Sequence, residues 1–295
     1  MDSKTTTSII TLTKNRAELL EKNLISLTKQ SIRPNEIIII DNNSTDQTPE
    51  IINKYLKILP IKAFKSFASG YSKLYNLGIQ KASGELLCFL DDDCLAEKNW
   101  LKNLIEKSRQ YPNSIIQGNT FSLPKNNLYA EIMGNHYQNY LKSNIILREE
   151  LRFLDNKNLV IPKKIIKKYG GFSQKQNLGS EDIEFGLRMR RNGVKIIFQP
   201  KAIAWHHERD NFKDFIKQHY RIAKSESILD KNLIKIKNKD KVGLFPKKKT
   251  LMNLQSAFKI EKKYLLQKNW TKAIKIPFIY LLLFFIRISG YLKKT

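Results

Sequence analysis

The composition of this 295-residue chain limits the kinds of protein that it can be, before any motif is considered. Forty-one per cent of the residues are apolar and 10% are aromatic, which is typical of a globular protein and excludes a disordered one. The formal net charge of +26 suggests nucleic-acid binding, yet only 11 of the 53 basic residues are arginine, so we expect no specific nucleic-acid partner. The two cysteines, Cys88 and Cys94, are too few for a disulfide framework or a zinc knuckle.

The first half of the chain alternates predicted strands and helices. Four apolar runs predict strands at 7–13, 35–41, 61–65 and 84–90, and segments with helical periodicity lie between them. The β-branched run "EIIIID" is typical of a strand buried on both faces of a parallel sheet. We therefore predict an α/β fold with a mostly parallel central sheet flanked by helices, in which ligands bind beyond the carboxyl ends of the strands.

The second half of the chain is less regular. Residues 120–157 show no clear periodicity of apolar residues, and we predict an irregular segment that crosses the sheet. Four later segments predict a short strand or helix at 161–172, an acid-led helix at 179–193, and two strands at 194–200 and 202–207. We expect a catalytic domain over residues 1–230 and a basic helical region over residues 231–295.

Three adjacent acids, Asp91, Asp92 and Asp93, directly follow the fourth predicted strand. Two carboxylates about 4 Å apart repel by roughly 4 kcal/mol at an effective dielectric near 20, so the cluster needs a metal, a basic partner or shifted pKa values. In an extended segment Asp91 and Asp93 would share a face and Asp92 would point away. Mg²⁺ or Mn²⁺ bound with a substrate diphosphate fits two such carboxylates, and a solvated acidic turn is the alternative.

Two further residues are candidates for the same site. His206 ends the last predicted strand; it is either a structural histidine or, if it reaches Asp93, a ligand that favours Mn²⁺ over Mg²⁺. Asp182 lies with Glu181 in the first turn of a predicted helix, where acids commonly complement the helix dipole. In the functional alternative, one of these acids takes a proton from an attacking hydroxyl group.

These segments together resemble glycosyltransferase family 2, whose members have the GT-A fold. The resemblance covers about residues 8–225 and is carried by the order of the motifs "SIITLTKNR", "EIIIIDNNSTD", "GYSKLYNLGIQKASGELLCFLDDD", "YGGF", "GSEDIEFGLRMRRNG" and "AIAWH". It implies an inverting hexosyltransferase that moves a sugar from a nucleotide-diphospho-sugar, preferably a UDP-sugar, to a hydroxyl acceptor. The acceptor would be a saccharide or lipid-linked molecule in cell-surface glycan or glycolipid synthesis. The absence of a QxxRW motif implies that one sugar is added per encounter.

The resemblance also implies roles for individual residues. The residues that it implies for binding the nucleotide-sugar donor are Thr13, Asn15, Arg16, Asp41, Asn42, Gly70, Asn76, Asp91 and Asp92. The metal, Mn²⁺ or Mg²⁺, would be bound by Asp91, Asp93 and His206, with Asp93 in direct contact. Asp182 matches the catalytic base. Asn43 stands where many members of the family have glycine.

Two other functions remain as alternatives at this point. A haloacid dehalogenase-type phosphatase would use Asp91 as a nucleophile, but it requires Thr or Val where Leu95 stands and normally places this strand first. A nonenzymatic RNA-binding protein would explain the charge, and its RNA binding would weaken steeply with salt.

The C-terminal segment is a distinct basic and apolar region. Residues 241–295 contain 13 Lys or Arg and a single acid, Glu261. The apolar stretch 276–292 is at the lower length limit for a membrane span and carries Arg287, so we predict a helix at the surface of an anionic membrane. A helix packed on the catalytic domain and a true span are the alternatives. Because the N-terminal apolar stretch is too short for a signal peptide, we expect the enzyme at the cytoplasmic, inner face of the cell membrane.

Overall fold

The computed structural model describes residues 5–124, 127–147, 149–174, 181–234 and 247–292. The chain divides into two compact units. Among the described residues, an α/β unit contains 5–121, 145–147, 149–174 and 181–207, and a helical unit contains 122–124, 127–144, 208–234 and 247–292.

Within the described residues, ten strands form one sheet. They are β1 (Thr7–Thr13), β2 (Glu36–Asp41), β3 (Ile61–Lys65), β4 (Leu86–Leu90), β5 (Cys94–Ala96), β6 (Ile115–Ser122), β7 (Ile145–Leu147), β8 (Glu150–Leu151), β9 (Asn158–Pro162) and β10 (Ile196–His206). Their order across the sheet is β3-β2-β1-β4-β9-β6-β10-β8-β7, and β5 pairs with β10 outside this path.

The helices of the described residues are distributed over both units. Those of the α/β unit are α1 (Ala17–Thr28), α2 (Thr48–Tyr55), α3 (Tyr71–Lys81), α4 (Trp100–Gln110), α6 (Lys163–Tyr169) and α7 (Glu181–Arg191). Those of the helical unit are α5 (Leu128–Asn144), α8 (Phe212–Ile234), α9 (Lys247–Leu266) and α10 (Trp270–Leu292).

The four predicted strands of the first half form the parallel part of the sheet. β1 pairs in parallel with β2 and β4, and β2 pairs in parallel with β3. Every residue of β1, β2 and β4 is buried, as expected for strands covered on both faces. Leu20, Leu24 and Leu27 of α1 are buried against this part of the sheet, as their helical spacing predicts. The carboxyl ends of the parallel strands therefore lie at one edge of the sheet, together with the predicted site residues that follow β1, β2 and β4.

The prediction of a mostly parallel sheet is wrong for the remaining strands. β9 pairs antiparallel with both β4 and β6, and β10 pairs antiparallel with β5 and β8. The two strands predicted at 194–200 and 202–207 are one strand, β10, which continues through Pro200. The segment predicted as irregular contains the 17-residue helix α5, and the segment 161–172 continues a strand, β9, into α6.

The helical unit has a core of its own. Buried side chains of α9 and α10, including Ile260, Tyr264, Ile276 and Leu283, pack with those of α5 and α8. The predicted boundary at residue 230 falls inside α8, and the division of roles between the two predicted domains stays a prediction. No helix of the described residues has both the length and the apolar character needed to cross a membrane.

Candidate active site

A turn stabilised by Asn23 presents the three acids at the end of β4. The Cys94 N–H donates to the Asp91 carbonyl at 3.0 Å and closes the turn. The buried Asn23 of α1 adds two hydrogen bonds, from Nδ2 to the carbonyl oxygens of Asp91 and Cys94, at 3.0 and 2.7 Å. β5 begins at Cys94, so the three acids lie between two strands of the sheet. The acidic corner, defined as Asp91, Asp92 and Asp93, is therefore held in place by hydrogen bonds to its backbone from Cys94 and Asn23.

Arg16 links two of the three carboxylates. Its Nη1 donates to Asp92 Oδ1 at 2.7 Å and to Asp93 Oδ2 at 2.9 Å. Burial alone would lower the pKa of the Arg16 guanidinium, but Asp92 and Asp93 raise it above its ordinary value. The prediction that Asp92 points away from Asp93 is wrong, because residues 91–93 form a turn instead of continuing the extended strand.

The third carboxylate, Asp91, is held by an aromatic residue that the sequence did not single out. Tyr75 of α3 donates from its hydroxyl group to Asp91 Oδ1 at 3.0 Å. The Tyr75 ring packs on Phe89 and Phe172, with ring centroids 5.6 and 5.2 Å away. Tyr75 therefore fixes the orientation of Asp91 from the side of α3.

Burial and mutual repulsion raise the pKa of two of the three carboxyl groups in the acidic corner. Burial, and next to it the charge of Asp93, raise the pKa of Asp91 to about 7 and that of Asp92 to about 6. Arg16 opposes this effect at Asp92, and Lys157 opposes it at Asp91. An additional cation at the corner would relieve the repulsion.

His206 reaches the acidic corner across the pairing of β10 with β5. His206 lies opposite Cys94 in that pairing, and its Nε2 is 3.3 Å from Asp93 Oδ1. The His207 N–H donates to the Asp93 carbonyl at 2.8 Å. The structure thus brings together Asp93 and His206, which the sequence placed at the ends of two separate strands.

The donor set of this corner fits a hard divalent cation that is shared with a ligand. Carboxylates suit both Mg²⁺ and Mn²⁺, and an imidazole among the ligands favours Mn²⁺ over Mg²⁺. Across the described ranges, no group of three His, Cys, Asp or Glu side chains is arranged to hold a metal by itself. Mg²⁺ typically takes one or two protein carboxylates and completes its shell with phosphate oxygens, which agrees with the residues present.

The residues predicted for the nucleotide end lie on adjoining loops after β1 and β2. The Asn15 N–H donates to Ser44 Oγ at 2.9 Å, and Asn15 Oδ1 accepts from Thr45 N at 2.7 Å. Asp41 Oδ1 accepts from Ser44 N at 2.9 Å, and the Thr13 carbonyl accepts from Asn42 N at 2.9 Å. These contacts join the two strand ends into one surface.

Backbone conformation explains two features of these loops. Asn43 has φ of 55°, a left-handed conformation that asparagine tolerates better than most residues, so asparagine fits the position for which the family resemblance suggests glycine. Gly70, just before α3, has φ of 94°, which a side chain would strain. With its amide nitrogen oriented to donate, Asn42 lies 3.2 Å from the carbonyl oxygens of Ser66 and Ala68, so it fixes the loop that leads to Gly70.

Asn76 has a structural partner instead of an open face. Its Nδ2 donates to the Phe172 carbonyl at 2.8 Å, and its Oδ1 accepts from Phe172 N at 2.9 Å. A Cβ at Gly171 would lie 2.3 Å from Asn76 Oδ1, so the "YGGF" loop needs glycine at that position. Asn76 therefore holds this loop against α3, and any effect on a donor would be indirect.

Asp182 lies in the first turn of α7, with other charged groups around it. Its Oδ1 accepts from Ile183 N at 2.8 Å. Burial, followed by the charges of Glu181 and Asp155, raises the pKa of Asp182 well above its usual value, and Lys157 opposes this shift. A carboxylate with a raised pKa is a stronger base than an ordinary aspartate.

The pair Asp155 and Lys157 is a second feature that the sequence did not predict. Lys157 Nζ lies 2.8 Å from Asp155 Oδ2, and Lys157 acts electrostatically on both Asp91 and Asp182. Both residues belong to the segment that was predicted to be irregular, where no period indicated their position. They form an electrostatic link between the acidic corner and the candidate base.

Known proteins with similar sequences are glycosyltransferases. The model of Glycosyl transferase family 2 matches residues 8–170. The chain is 26% identical over 228 residues to Glycosyltransferase AglE of Haloferax volcanii, covering 74% of this chain and 72% of that protein. It is 34% identical over 130 residues to the GalNAc(5)-diNAcBac-PP-undecaprenol beta-1,3-glucosyltransferase of Campylobacter jejuni, covering 43% of this chain and 42% of that protein.

Solved structures share the fold at low sequence identity. The mannosyltransferase PcManGT from Pyrobaculum calidifontis, in complex with GDP-Man and Mn²⁺, gives a TM-score of 0.65 at 14% identity, covering 96% of this chain and 85% of that chain. S. aureus TarS 1–349 in complex with UDP-GlcNAc gives 0.56 at 17% identity, covering 97% and 89%. The predicted GT-A fold is confirmed. Since the family model spans more than half of its length, this chain belongs to glycosyltransferase family 2.

Proposed function

We propose that this glycosyltransferase is an inverting, non-processive and metal-dependent enzyme that transfers one sugar from a UDP-sugar to a hydroxyl acceptor in glycan or glycolipid synthesis. The observation that carries the proposal is the acidic corner at the end of β4, where Arg16 and His206 meet Asp93 within the same unit as Asp182. The relatives with printed activities, such as the Campylobacter glucosyltransferase acting on a diphospho-undecaprenol acceptor, support a saccharide or lipid-linked acceptor.

The donor would bind across the ends of β1, β2 and β4. Thr13, Asn15 and Asp41 supply hydrogen-bonding groups for the base and ribose, and Arg16 supplies a guanidinium for the diphosphate. Asp91, Asp93 and His206 would hold Mn²⁺ or Mg²⁺ together with phosphate oxygens of the donor, since these side chains are not arranged to hold a metal by themselves. When bound, the metal neutralises charge on the departing diphosphate. The buried carboxylates would keep that charge in a site of low dielectric, where it acts more strongly than in water.

Asp182 is the candidate base for the acceptor hydroxyl. An acceptor that attacks the anomeric carbon from the side opposite the diphosphate inverts its configuration, and the hydroxyl proton must leave as the new bond forms. The raised pKa of Asp182 gives its ionised carboxylate a high affinity for that proton. The products are the glycosylated acceptor, the nucleoside diphosphate and a proton carried by Asp182, which balances the reaction.

A screen of nucleotides by thermal unfolding tests the proposed donor class. We expect UDP and UDP-sugars to raise the unfolding temperature with Mn²⁺ and to have little effect with a chelator, because ligands that bind the native state stabilise it. At a free ligand concentration 100-fold above Kd the gain is about 2.7 kcal/mol, which corresponds to several degrees. Selective stabilisation by GDP-mannose would change the proposed donor from a UDP-sugar to a GDP-sugar. If no nucleotide raises the unfolding temperature, the proposal is contradicted.

Attachment to an anionic membrane is the second part of the proposal, and α10 supports it. Five large apolar side chains follow one another along this helix at intervals of three or four residues and are 55 to 69% exposed: Trp270, Ile274, Phe278, Leu281 and Phe285. Exposed lysines precede or flank this apolar face at positions 259, 262, 263, 268 and 275; the structure describes the backbone but not the side chains of Lys247–Lys249 and Arg287. Apolar residues beside lysines are typical of a helix lying in the headgroup region, at the inner face of the cell membrane.

Substitution of two exposed phenylalanines tests the membrane proposal. We expect the wild-type chain to sediment with vesicles containing phosphatidylglycerol but not with pure phosphatidylcholine, and Phe278→Glu with Phe285→Glu to abolish sedimentation. Each phenylalanine contributes about 1.5–3 kcal/mol when fully buried, so the loss should exceed 100-fold by this estimate. Phe67→Glu, at a phenylalanine that is 77% exposed in the α/β unit, is the matched control. The proposal is contradicted if the double variant still sediments with the vesicles. It is also contradicted if the wild type does not bind vesicles and the two substitutions change its oligomeric mass instead.

A further inference from the structure

The Arg16 side chain is the more exposed partner in its two ion pairs. It keeps 25% of its side-chain surface, whereas Asp92 and Asp93 keep 4% and 6%. The Arg16 backbone is anchored, because its N–H donates to Thr48 Oγ1 at 3.2 Å and its carbonyl accepts from Leu20 N at 2.9 Å. A long side chain on an anchored backbone can turn away from the corner, while the two carboxylates remain buried.

Both carboxylate oxygens of Asp93 face a basic side chain. Oδ2 accepts from Arg16 Nη1 at 2.9 Å, and Oδ1 lies 3.3 Å from His206 Nε2. A divalent cation that binds Asp93 Oδ2 must share or replace the Arg16 contact, and a cation that binds Oδ1 beside His206 is still repelled by the nearby guanidinium charge. These contacts therefore oppose the binding of a divalent cation that arrives without a nucleotide.

We propose that Arg16 is an exchangeable counter-ion: it holds Asp92 and Asp93 in the donor-free protein, weakens their affinity for a bare divalent cation, and transfers its hydrogen bonds to the diphosphate of an arriving nucleotide. This inference rests on the proposed function, because it requires a diphosphate donor. A guanidinium fork binds carboxylate and phosphate with similar geometry, so one side chain can serve both partners. Cation and nucleotide then bind cooperatively, each raising the affinity for the other by the same factor.

Titration of the full chain with Mn²⁺ alone at pH 8 tests the inference. Binding is measured as the decrease of the electron paramagnetic resonance signal of free Mn²⁺. Arg16→Gln is expected to bind Mn²⁺ about tenfold more tightly than the wild type in the absence of nucleotide, because the competing charge is removed. UDP should tighten Mn²⁺ binding to the wild type and have a smaller effect on Arg16→Gln. Arg33→Gln is the matched control, because Arg33 is exposed and precedes β2 at the end remote from the strand's carboxyl terminus.

The outcomes separate this inference from the proposed function. If the wild type fails to bind Mn²⁺ even with UDP, the proposed metal-dependent function fails, and the inference fails with it. If the wild type binds Mn²⁺ with UDP but Arg16→Gln binds Mn²⁺ alone no more tightly, only the role of Arg16 is overturned. A purely structural defect would weaken Mn²⁺ binding, whereas the inference requires it to tighten.

A second variant covers the case in which Arg16→Gln does not fold. Arg16→Lys keeps the charge, so its binding of Mn²⁺ alone should stay as weak as in the wild type. Lysine lacks the planar fork, so the enhancement by UDP should shrink. An enhancement equal to that of the wild type would overturn the proposed exchange of hydrogen bonds.

Discussion

Replacement of Asp93 with alanine should weaken Mn²⁺-dependent donor binding by more than about 100-fold, because even the outer partners of metal ligands contribute 10- to 100-fold to metal affinity. Asp93 is contacted by groups from other parts of the chain: the side chains of Arg16 and His206 and the backbone N–H of His207. The measurement is the shift of the unfolding temperature by UDP with Mn²⁺, together with calorimetric titration of the nucleotide. The wild type should show a shift that depends on the metal, and Asp93→Ala should show none.

The stability of the donor-free variant distinguishes a lost ligand from a damaged fold. Burial and the charge of Asp93 raise the pKa of Asp91 to about 7 and that of Asp92 to about 6. A carboxyl group whose pKa is higher in the folded state than in the unfolded state reduces stability once pH exceeds the unfolded value, so the full cost is present at pH 8. Removing Asp93 removes part of this cost, and we expect no fall in unfolding temperature.

A matched control uses an exposed acid of the helical unit. Asp214 of α8 is exposed, and its Oδ2 accepts one hydrogen bond from Asn211 at 2.7 Å. Asp214→Ala should keep the metal-dependent shift of the wild type. A metal-dependent shift that survives in Asp93→Ala would remove Asp93 from the proposed metal site.

The parallel part of the fold could be predicted because its signals are local. The run "EIIIID" is continuous and β-branched, and every one of its residues is buried in β2. Acids and amides after such strands could be assigned to the ligand edge, since the carboxyl ends of parallel strands meet there. In the structure the loops that follow β1, β2 and β4 lie at one edge of the sheet, and their binding of a ligand stays a prediction.

The antiparallel strands and α5 could not be predicted in the same way. β5 has three residues and β8 has two, which is too short for any period to be recognised. α5 carries buried and partly buried positions around much of its circumference, so the segment has only a weak amphipathic pattern. Pairing of β9 with β4 joins residues about 70 positions apart, and local sequence patterns do not specify such contacts.

Inside the site, residue types were predictable but side-chain directions were not. The rule that places Asp91 and Asp93 on one face assumes an extended chain, and the turn after β4 violates it. Tyr75 and Lys157 act on Asp91 only through the tertiary fold. Asn76 bonds the Phe172 backbone for the same reason, because the loop of Gly171 approaches α3 too closely for any other residue.

Asp182→Asn should lower the rate of sugar transfer by about 10²- to 10⁴-fold, the usual contribution of a general base, while donor binding stays unchanged. The substitution keeps the size of the side chain, and an asparagine Oδ1 can still accept the hydrogen bond from Ile183 N. The variant therefore differs from the wild type mainly in its inability to take a proton. Transfer to acceptor and metal-dependent binding of UDP are measured on the same preparation.

The pH dependence of transfer provides the decisive readout for Asp182. The base must be ionised, and the pKa of Asp182 is raised by burial and by Glu181 and Asp155, so the wild-type rate should fall as pH decreases through that raised value. With donor and Mn²⁺ saturating, so that protonation of Asp91 and Asp92 does not limit the rate, the residual rate of Asp182→Asn should lack this acid limb. Glu106→Gln, at a half-exposed acid of α4, should retain both the rate and the profile of the wild type. Transfer by Asp182→Asn at the wild-type rate, with the same acid limb, would assign the proton to another group.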